Sequence, residues 1–302
     1  KTYGSTLDED LKKYIDEVNK RNTDQDLRDI SQIRTSYAKV CSHFSNKAPN
    51  LYSIETLFTK VNTRRVQIRC YKKKNNSKCE ILYVHGGGFI MGDLDSHDDI
   101  CADLCHMTGF NVTAVNYRLA PENPYPAALD DIRAVYLSLQ ETVPTIVIGD
   151  SAGATLCAML SSQFRGTKKC PAAQILIYPY LGGDMTQGSY ITHSNAPGLS
   201  TKEMKFYIKS WMPRSEDMQS LPLRLKDFQG LPPTIIFTAS EDPLYSDGLE
   251  YIEKLKSFGV KALHVPGNGL IHGFLRARHT VKKAKKAFLN IVESCQSIGR
   301  EK

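Results

Sequence analysis

An α/β fold with a mostly parallel central sheet, helices on both faces and a helical cap is predicted by three observations. From Glu80 onward, short apolar β-branched runs alternate with helical segments, the pattern of parallel strands buried on both faces. One run, Thr145-Ile146-Val147-Ile148, breaks at Gly149 and delivers a serine between two glycines before an apolar helix. One interval, residues 182 to 229, is too long for a single crossover and contains glycine, proline and a helical piece, Thr201 to Trp211. It therefore reads as an insertion over the C-terminal ends of the strands. The expected organisation is a helical arm over 1–50 contributing to the cap, a core over 51–181 and 230–302, and a cap insertion over 182–229.

In chain order, residues 5 to 45 are polar and helix-prone, and Leu7, Leu11, Tyr14, Ile15 and Val18 recur at a helical period. That stripe needs another surface to cover it. Residues 57–61 and 66–71 alternate apolar and polar as two half-exposed antiparallel edge strands should. Lys72-Lys73-Lys74 before Asn75-Asn76-Ser77 reads as a solvated hairpin loop. The core strands are expected at 81–84, 112–116, 145–148, 174–178, 234–238 and 262–265. Helices fill the intervals at 96–107, 127–140, 152–164, 246–258 and 277–295.

The chain has 302 residues, 41% apolar and 24% charged, enough to bury a sizeable core as one large domain with an appendage. Its net charge of +7 is scattered, and Lys282, Lys283, Lys285 and Lys286 read as the wet face of a C-terminal helix. No nucleic-acid partner is expected. No run of about 18 apolar residues is present, so no membrane span is expected. Eight cysteines without a C-x-x-C pair read as thiols in a reducing compartment, and the expected location is cytoplasmic. The chain starts at Lys1, which leaves a removed leader open. His97, Cys101 and Cys105 share a helical face, but they lack a fourth ligand and zinc spacing, so core packing is expected and no metal.

The chemistry is concentrated in five stretches. Gly149-Asp150-Ser151-Ala152-Gly153 has the G-x-S-x-G pattern of a nucleophile at a strained strand-to-helix turn, where small neighbours let the two backbones pass closely. On its own it is also compatible with a plain strand–glycine–helix junction. His85-Gly86-Gly87-Gly88-Phe89 places three glycines at a strand end, where backbone N–H groups can converge on an oxyanion. A flexible loop is the other reading, and the lysine and hydroxyl of a phosphate loop are missing. His85 reads as a positioning residue rather than a base. Tyr117 to Glu122 and Tyr125 to Asp131 read as a supporting loop entering a helix. Asp242 and His272 each follow a predicted strand, giving the order serine, acid, histidine.

Taken together, His-Gly-Gly-Gly-Phe, Tyr-Arg-Leu-Ala-Pro-Glu, Gly-Asp-Ser-Ala-Gly, Asp-Pro-Leu and His-Gly-Phe resemble the hormone-sensitive-lipase family of α/β-hydrolase esterases over residues 80 to 275. The resemblance implies an α/β-hydrolase fold, carboxylic-ester hydrolysis and no cofactor. It implies Ser151 as nucleophile, His272 as base and Asp242 as its orienter, with the N–H groups of Gly87, Gly88 and Ala152 as oxyanion donors. His85, Asp150 and Asp247 are assigned supporting places. The one departure is Ala154, where the family usually carries glycine. The implied partner is a small-molecule ester, and a homodimer is left open.

Two other readings share this pattern: an amidase or formamidase with the same triad, and a non-catalytic small-ligand receptor on the same fold. The second conflicts with an intact His272, which plant gibberellin receptors lose. The interval 182–229 mixes glycines and charges among few large apolar residues, so short acyl chains are expected in preference to lipid-length ones.

Overall fold

A computed structural model describes residues 7–22, 29–61, 64–73, 77–139 and 143–301. The expected hairpin tip at 74–76, arm residues 5, 6 and 23–28, and the helix end at Gln140 lie outside the described residues.

The arm forms two helices, α1 (Glu9–Arg21) and α2 (Ile30–Phe44). Glu9 and Asp10 in the first turn of α1, and Lys20 and Arg21 in its last, oppose the helix dipole as required. Asp29 caps α2 by accepting the Gln32 N–H at 3.0 Å. Leu11, Tyr14 and Ile15 of α1 are buried, which covers the apolar stripe.

Eight strands form one sheet: β1 (Ser53–Val61), β2 (Arg64–Lys72), β3 (Glu80–Val84), β4 (Asn111–Asn116), β5 (Thr145–Asp150), β6 (Ala173–Ile177), β7 (Thr234–Glu241) and β8 (Ala262–Ile271). Their order is β1-β2-β4-β3-β5-β6-β7-β8. Strand β2 runs antiparallel to both β1 and β4, and the six strands from β4 to β8 in the sheet order are parallel, with β5 near their centre. Alternation divides the core in two. Leu82, Val84 and Val147 point into one apolar layer, and Ile81, Tyr83, Ile146 and Ile148 into the other. Each fully buried side chain of this size contributes about 1.5–3 kcal/mol.

Helices α3 (Asp98–Thr108), α4 (Ala127–Leu139), α5 (Ala152–Phe164), α8 (Tyr245–Ser257) and α9 (Lys282–Glu301) fall in the core intervals. The long interval holds α6 (Ser189–Thr192), α7 (Thr201–Trp211) and 3-10 turns at Ser215–Ser220 and Pro222–Arg224. A full capping box of Ser200 and Glu203 starts α7.

Three expectations are corrected. Strand β8 does not stop at Val265 but runs to Ile271, its later half pairing with β7 through an irregularity between Ala239 and Glu241. His272 thus follows the last residue of the strand directly instead of lying several residues beyond its end. The last helix begins at Lys282, because Phe274–Ala277 form a 3-10 turn first. The interval 182–229 is also more apolar in effect than its composition suggests. Met204, Tyr207, Ile208 and Trp211 stand at i, i+3, i+4 and i+7, and with Tyr190 and Leu199 they are buried in the core.

The strand–helix junction tests the packing argument. A Cβ on Gly153 would overlap the Val84 carbonyl of β3, whereas one on Gly109, the left-handed cap of α3, meets nothing. Gly109→Ala should cost about 1 kcal/mol for its positive φ alone. Gly153→Ala should cost about 3 kcal/mol or prevent folding, since backbone must move. Urea unfolding of both variants reads the difference, and equal midpoints would refute the close-approach argument.

Candidate active site

The site lies at the C-terminal edge of the parallel strands, where open α/β sheets place ligands. Ser151 is the residue between β5 and α5, and its backbone is held at φ 52° and ψ −119°. A non-glycine residue rarely takes a positive φ, so the conformation is strained and is fixed by its surroundings. Its N–H donates to the Ile177 carbonyl at 2.8 Å. A Cβ on Gly149 would run into the Gly153 backbone, so the two glycines allow the turn to close. Ala154, the departure from the family pattern, is fully buried without disturbing this crossing.

His272 reaches Ser151 from β8. Its Nε2 lies 2.9 Å from Ser151 Oγ, and its Nδ1 lies 2.7 Å from Asp242 Oδ2. An ionised carboxylate only accepts, so Nδ1 carries the proton and Nε2 presents its lone pair to the serine hydroxyl. Asp242 follows β7, is fully buried, and accepts the Leu244 N–H through Oδ1 at 2.8 Å. Its second oxygen is thus left for the imidazole.

The glycine loop after β3 faces the same point. Gly87 and Gly88 have φ of 126° and 58°, and a Cβ on Gly88 would stand 2.7 Å from the Tyr207 ring. Ala152 is the first residue of α5, where the N–H has no acceptor within the helix. Phe89, next in the loop, stacks on Trp211 of α7 at 3.6 Å and 5°.

Asp150 joins this loop to the serine turn. Its Oδ1 accepts from Tyr83 Oη at 2.8 Å and from the Gly86 N–H at 3.0 Å, and its Oδ2 lies 3.4 Å from His97 Nε2. Burial works against its ionisation, but the His97 charge and the hydrogen bonds from His97, Tyr83 and Gly86 outweigh it and hold the carboxyl well below its usual range. His85 stacks on Tyr117 at 4.2 Å and donates from Nδ1 to the Gly86 carbonyl at 2.8 Å. Burial pushes its pKa down to about 4, leaving it neutral. The Tyr117 hydroxyl in turn donates to the His85 carbonyl at 2.7 Å.

Asp247 stands apart from His272. It accepts the N–H groups of Leu181 at 2.7 Å and Gly183 at 3.2 Å and the Tyr190 hydroxyl at 2.9 Å, bracing the start of the long interval. Burial raises its pKa to about 6.

A cavity of about 190 Å³ opens onto Ser151, Gly87, Gly88 and His272. Its walls include Ile15 and Val18 of α1, Ile33 and Val40 of α2, and Met204 and Tyr207 of α7. Arg34 of α2 fixes the arm in place, donating to the Ile90 carbonyl at 2.7 Å and pairing with Glu122 at 2.7 Å.

Sequence reasoning missed three residues of this site. Tyr178 was assigned to the end of a strand, yet it turns off β6 at φ 36° and packs its ring 4.7 Å from His272. Tyr207 covers Gly88. His97, grouped with Cys101 and Cys105 as a helical face, is the partner of Asp150, while both thiols are buried in the core. A histidine shortly after a glycine loop was the available signal. For the tyrosines there was none.

Comparison with known proteins bears on the fold and the family. A family profile describing the α/β-hydrolase fold matches residues 81–276. Esterase LipI of Mycobacterium tuberculosis is 35% identical over 68% of this chain and 69% of its own. An ethyl acetate hydrolase of Pseudomonas putida is 29% identical over 72% of each. The hyperthermophilic esterase of Pyrobaculum calidifontis superposes with a TM-score of 0.87 at 27% identity, over 97% of this chain and 98% of its own. With the motifs, the sheet order and these likenesses in agreement, the chain belongs to the α/β-hydrolase fold family, in its branch of hormone-sensitive-lipase-like esterases.

Proposed function

We propose that this protein is a serine carboxylesterase for short-chain acyl esters, with Ser151, His272 and Asp242 as its triad. The observation that carries the reading is the unbroken line from Asp242 through His272 to Ser151, at 2.7 and 2.9 Å. Ser151 Oγ bonds to the ester carbonyl carbon as its proton passes to His272 Nε2. The carbonyl oxygen takes up the electron pair and is held by the N–H groups of Gly87, Gly88 and Ala152, at the positive end of α5. When the carbonyl re-forms, the C–O bond to the alcohol breaks, and Nε2 returns its proton to the departing oxygen. The acyl group stays on Ser151. Water then gives a proton to Nε2, its oxygen bonds to the acyl carbon, and the carboxylic acid leaves as Ser151 regains its proton. Asp242 stabilises the imidazolium in each half. Asp150 and His85 hold the glycine loop, and Asp247 braces the wall.

Short chains are favoured by the size of the cavity and by its closure with side chains of α1, α2 and α7. The ethyl acetate hydrolase among the relatives points the same way.

Loss of the nucleophile is the direct test: Ser151→Ala should lower ester turnover by several powers of ten and abolish labelling by a phosphonate probe. Labelling retained at another serine would overturn the assignment. The acids are separated by their partners. Asp242→Asn should lower kcat about 10⁴-fold by disturbing the His272 tautomer, while Asp247→Asn, which touches only the wall, should cost far less. A larger loss in folded Asp247→Asn would exchange their roles. For p-nitrophenyl esters, kcat/KM should rise about fourfold per methylene from C2, peak by about C6 and then fall. A profile still climbing at C10 would indicate a lipase-like pocket instead.

A further inference from the structure

The cavity that opens onto Ser151 has a second kind of wall. Arg276, in the 3-10 turn just after His272, lines it with only 9% of its side chain exposed. Tyr14 of α1, Tyr37 of α2 and Tyr178 line it as well. A guanidinium placed so deep is costly unless its charge and its five donors are met.

Those needs are only partly met by the protein. One donor reaches the Ser96 carbonyl, and another reaches Asp99 Oδ1 at a long 3.4 Å. Three N–H groups have no protein acceptor among the described residues. The carboxylate of Asp99 makes its short contact with Arg278 instead, at 2.6 Å, and Arg278 also holds Asp103 at 2.8 Å. Arg278 is thus the arginine that completes the ion network, and Arg276 is its weakly tied member facing the cavity. A purely structural arginine would have its fork filled, as that of Arg278 is.

We propose that Arg276, with the hydroxyls of Tyr14, Tyr37 and Tyr178, forms an anion subsite, so that preferred substrates are small esters carrying a free carboxylate away from the scissile bond. The proposal rests on the esterase reading for its chemistry, and it goes beyond that reading in assigning a substrate charge. A planar carboxylate fits the guanidinium fork through two parallel N–H donors. Burial keeps the Tyr37 and Tyr178 hydroxyls protonated far above neutral pH, so they are donors toward an anion rather than competitors. Two carboxylates also stand in the wall: Asp150 has its charge met by His97, Tyr83 and Gly86, and Glu203 accepts the N–H and the hydroxyl of Ser200 at 2.7 and 2.6 Å.

The test uses esters matched in size that differ in charge. Monoethyl glutarate is compared with ethyl valerate for an acyl-side carboxylate, and 4-acetoxybutyrate with butyl acetate for an alcohol-side one. In at least one pair the anionic ester should have the higher kcat/KM. In Arg276→Gln the anionic-to-neutral ratio should fall about 30-fold, and in Tyr37→Phe, on half-buried α2 surface, about 3-fold. Tyr37→Phe reads the same ratio should Arg276→Gln fail to fold. A ratio unchanged in the folded variants, or failure of both anionic esters beside active neutral ones, overturns the subsite. Calorimetric titration of Ser151→Ala with the two anionic esters separates this from the chemistry. Binding that disappears on adding Arg276→Gln supports the subsite even if no ester is cleaved, and absence of binding refutes it even if neutral esters are hydrolysed.

Discussion

The close crossing of β5 and α5 is the constraint on which the rest of the site depends. Ser151 is held at a positive φ, a conformation that costs on the order of 1–3 kcal/mol and persists only where the surroundings over-determine it. Here they do so through backbone. Gly149 and Gly153 remove the Cβ atoms that would separate strand from helix, and the Val84 carbonyl of the neighbouring strand fills the space beside Gly153. The Ser151 N–H is anchored to the next strand on the other side. The hydroxyl is therefore raised above the sheet end, and the same turn presents the first free N–H of α5. The positions of this hydroxyl and of this N–H follow from one backbone geometry.

Around that turn, buried carboxylates in different surroundings do different work. Asp150 is surrounded by donors and by the His97 ring, so it remains ionised despite burial and ties the glycine loop to the serine turn. Asp242 spends one oxygen on its own loop and has the other free for imidazole. Asp247, with only neutral donors, has its pKa raised by burial. Five residues apart in sequence, Asp242 and Asp247 are distinguished by what faces them and not by residue type. Of the two, it is Asp242 that lies against the His272 ring.

Much of this was legible in the sequence, because the relevant signals are local. Apolar runs alternating with helical segments mark the parallel strands, and Ser151, Asp242 and His272 each follow one of them. What was not legible depends on contacts distant in sequence. The expected strand at 262–265 is too short because pairing with an irregular β7, distant in sequence, carries β8 on through Pro266, Gly267 and Gly269 to Ile271. The long interval reads as polar when its glycines and scattered charges are weighed ahead of its apolar residues. Their spacing on α7 puts them on one face, which composition does not reveal. Tyr178 and Arg276 carry no local signature, since their place in the site follows from a turn off β6 and from a 3-10 segment.

The division between shared and private parts of the site follows the chain. The serine turn, the glycine loop, Asp242 and His272 all lie within the stretch that matches the family profile. The arm, from which Tyr14, Ile15, Ile33, Tyr37 and Val40 enter the cavity, lies outside it. The arm's share of the cavity wall thus comes from outside the matched stretch, while Tyr178, Met204, Tyr207 and Arg276 of the same wall lie within it; the two parts are joined where Arg34 pins α2 to the loop beyond the glycines. Resemblance in the matched stretch transfers the chemistry, because that chemistry needs a fixed backbone geometry. It does not transfer the substrate, because the arm needs only to cover an apolar face and can do so with many side chains. A pair of relatives can thus share every reacting group and still differ in the charge and length of the ester they accept.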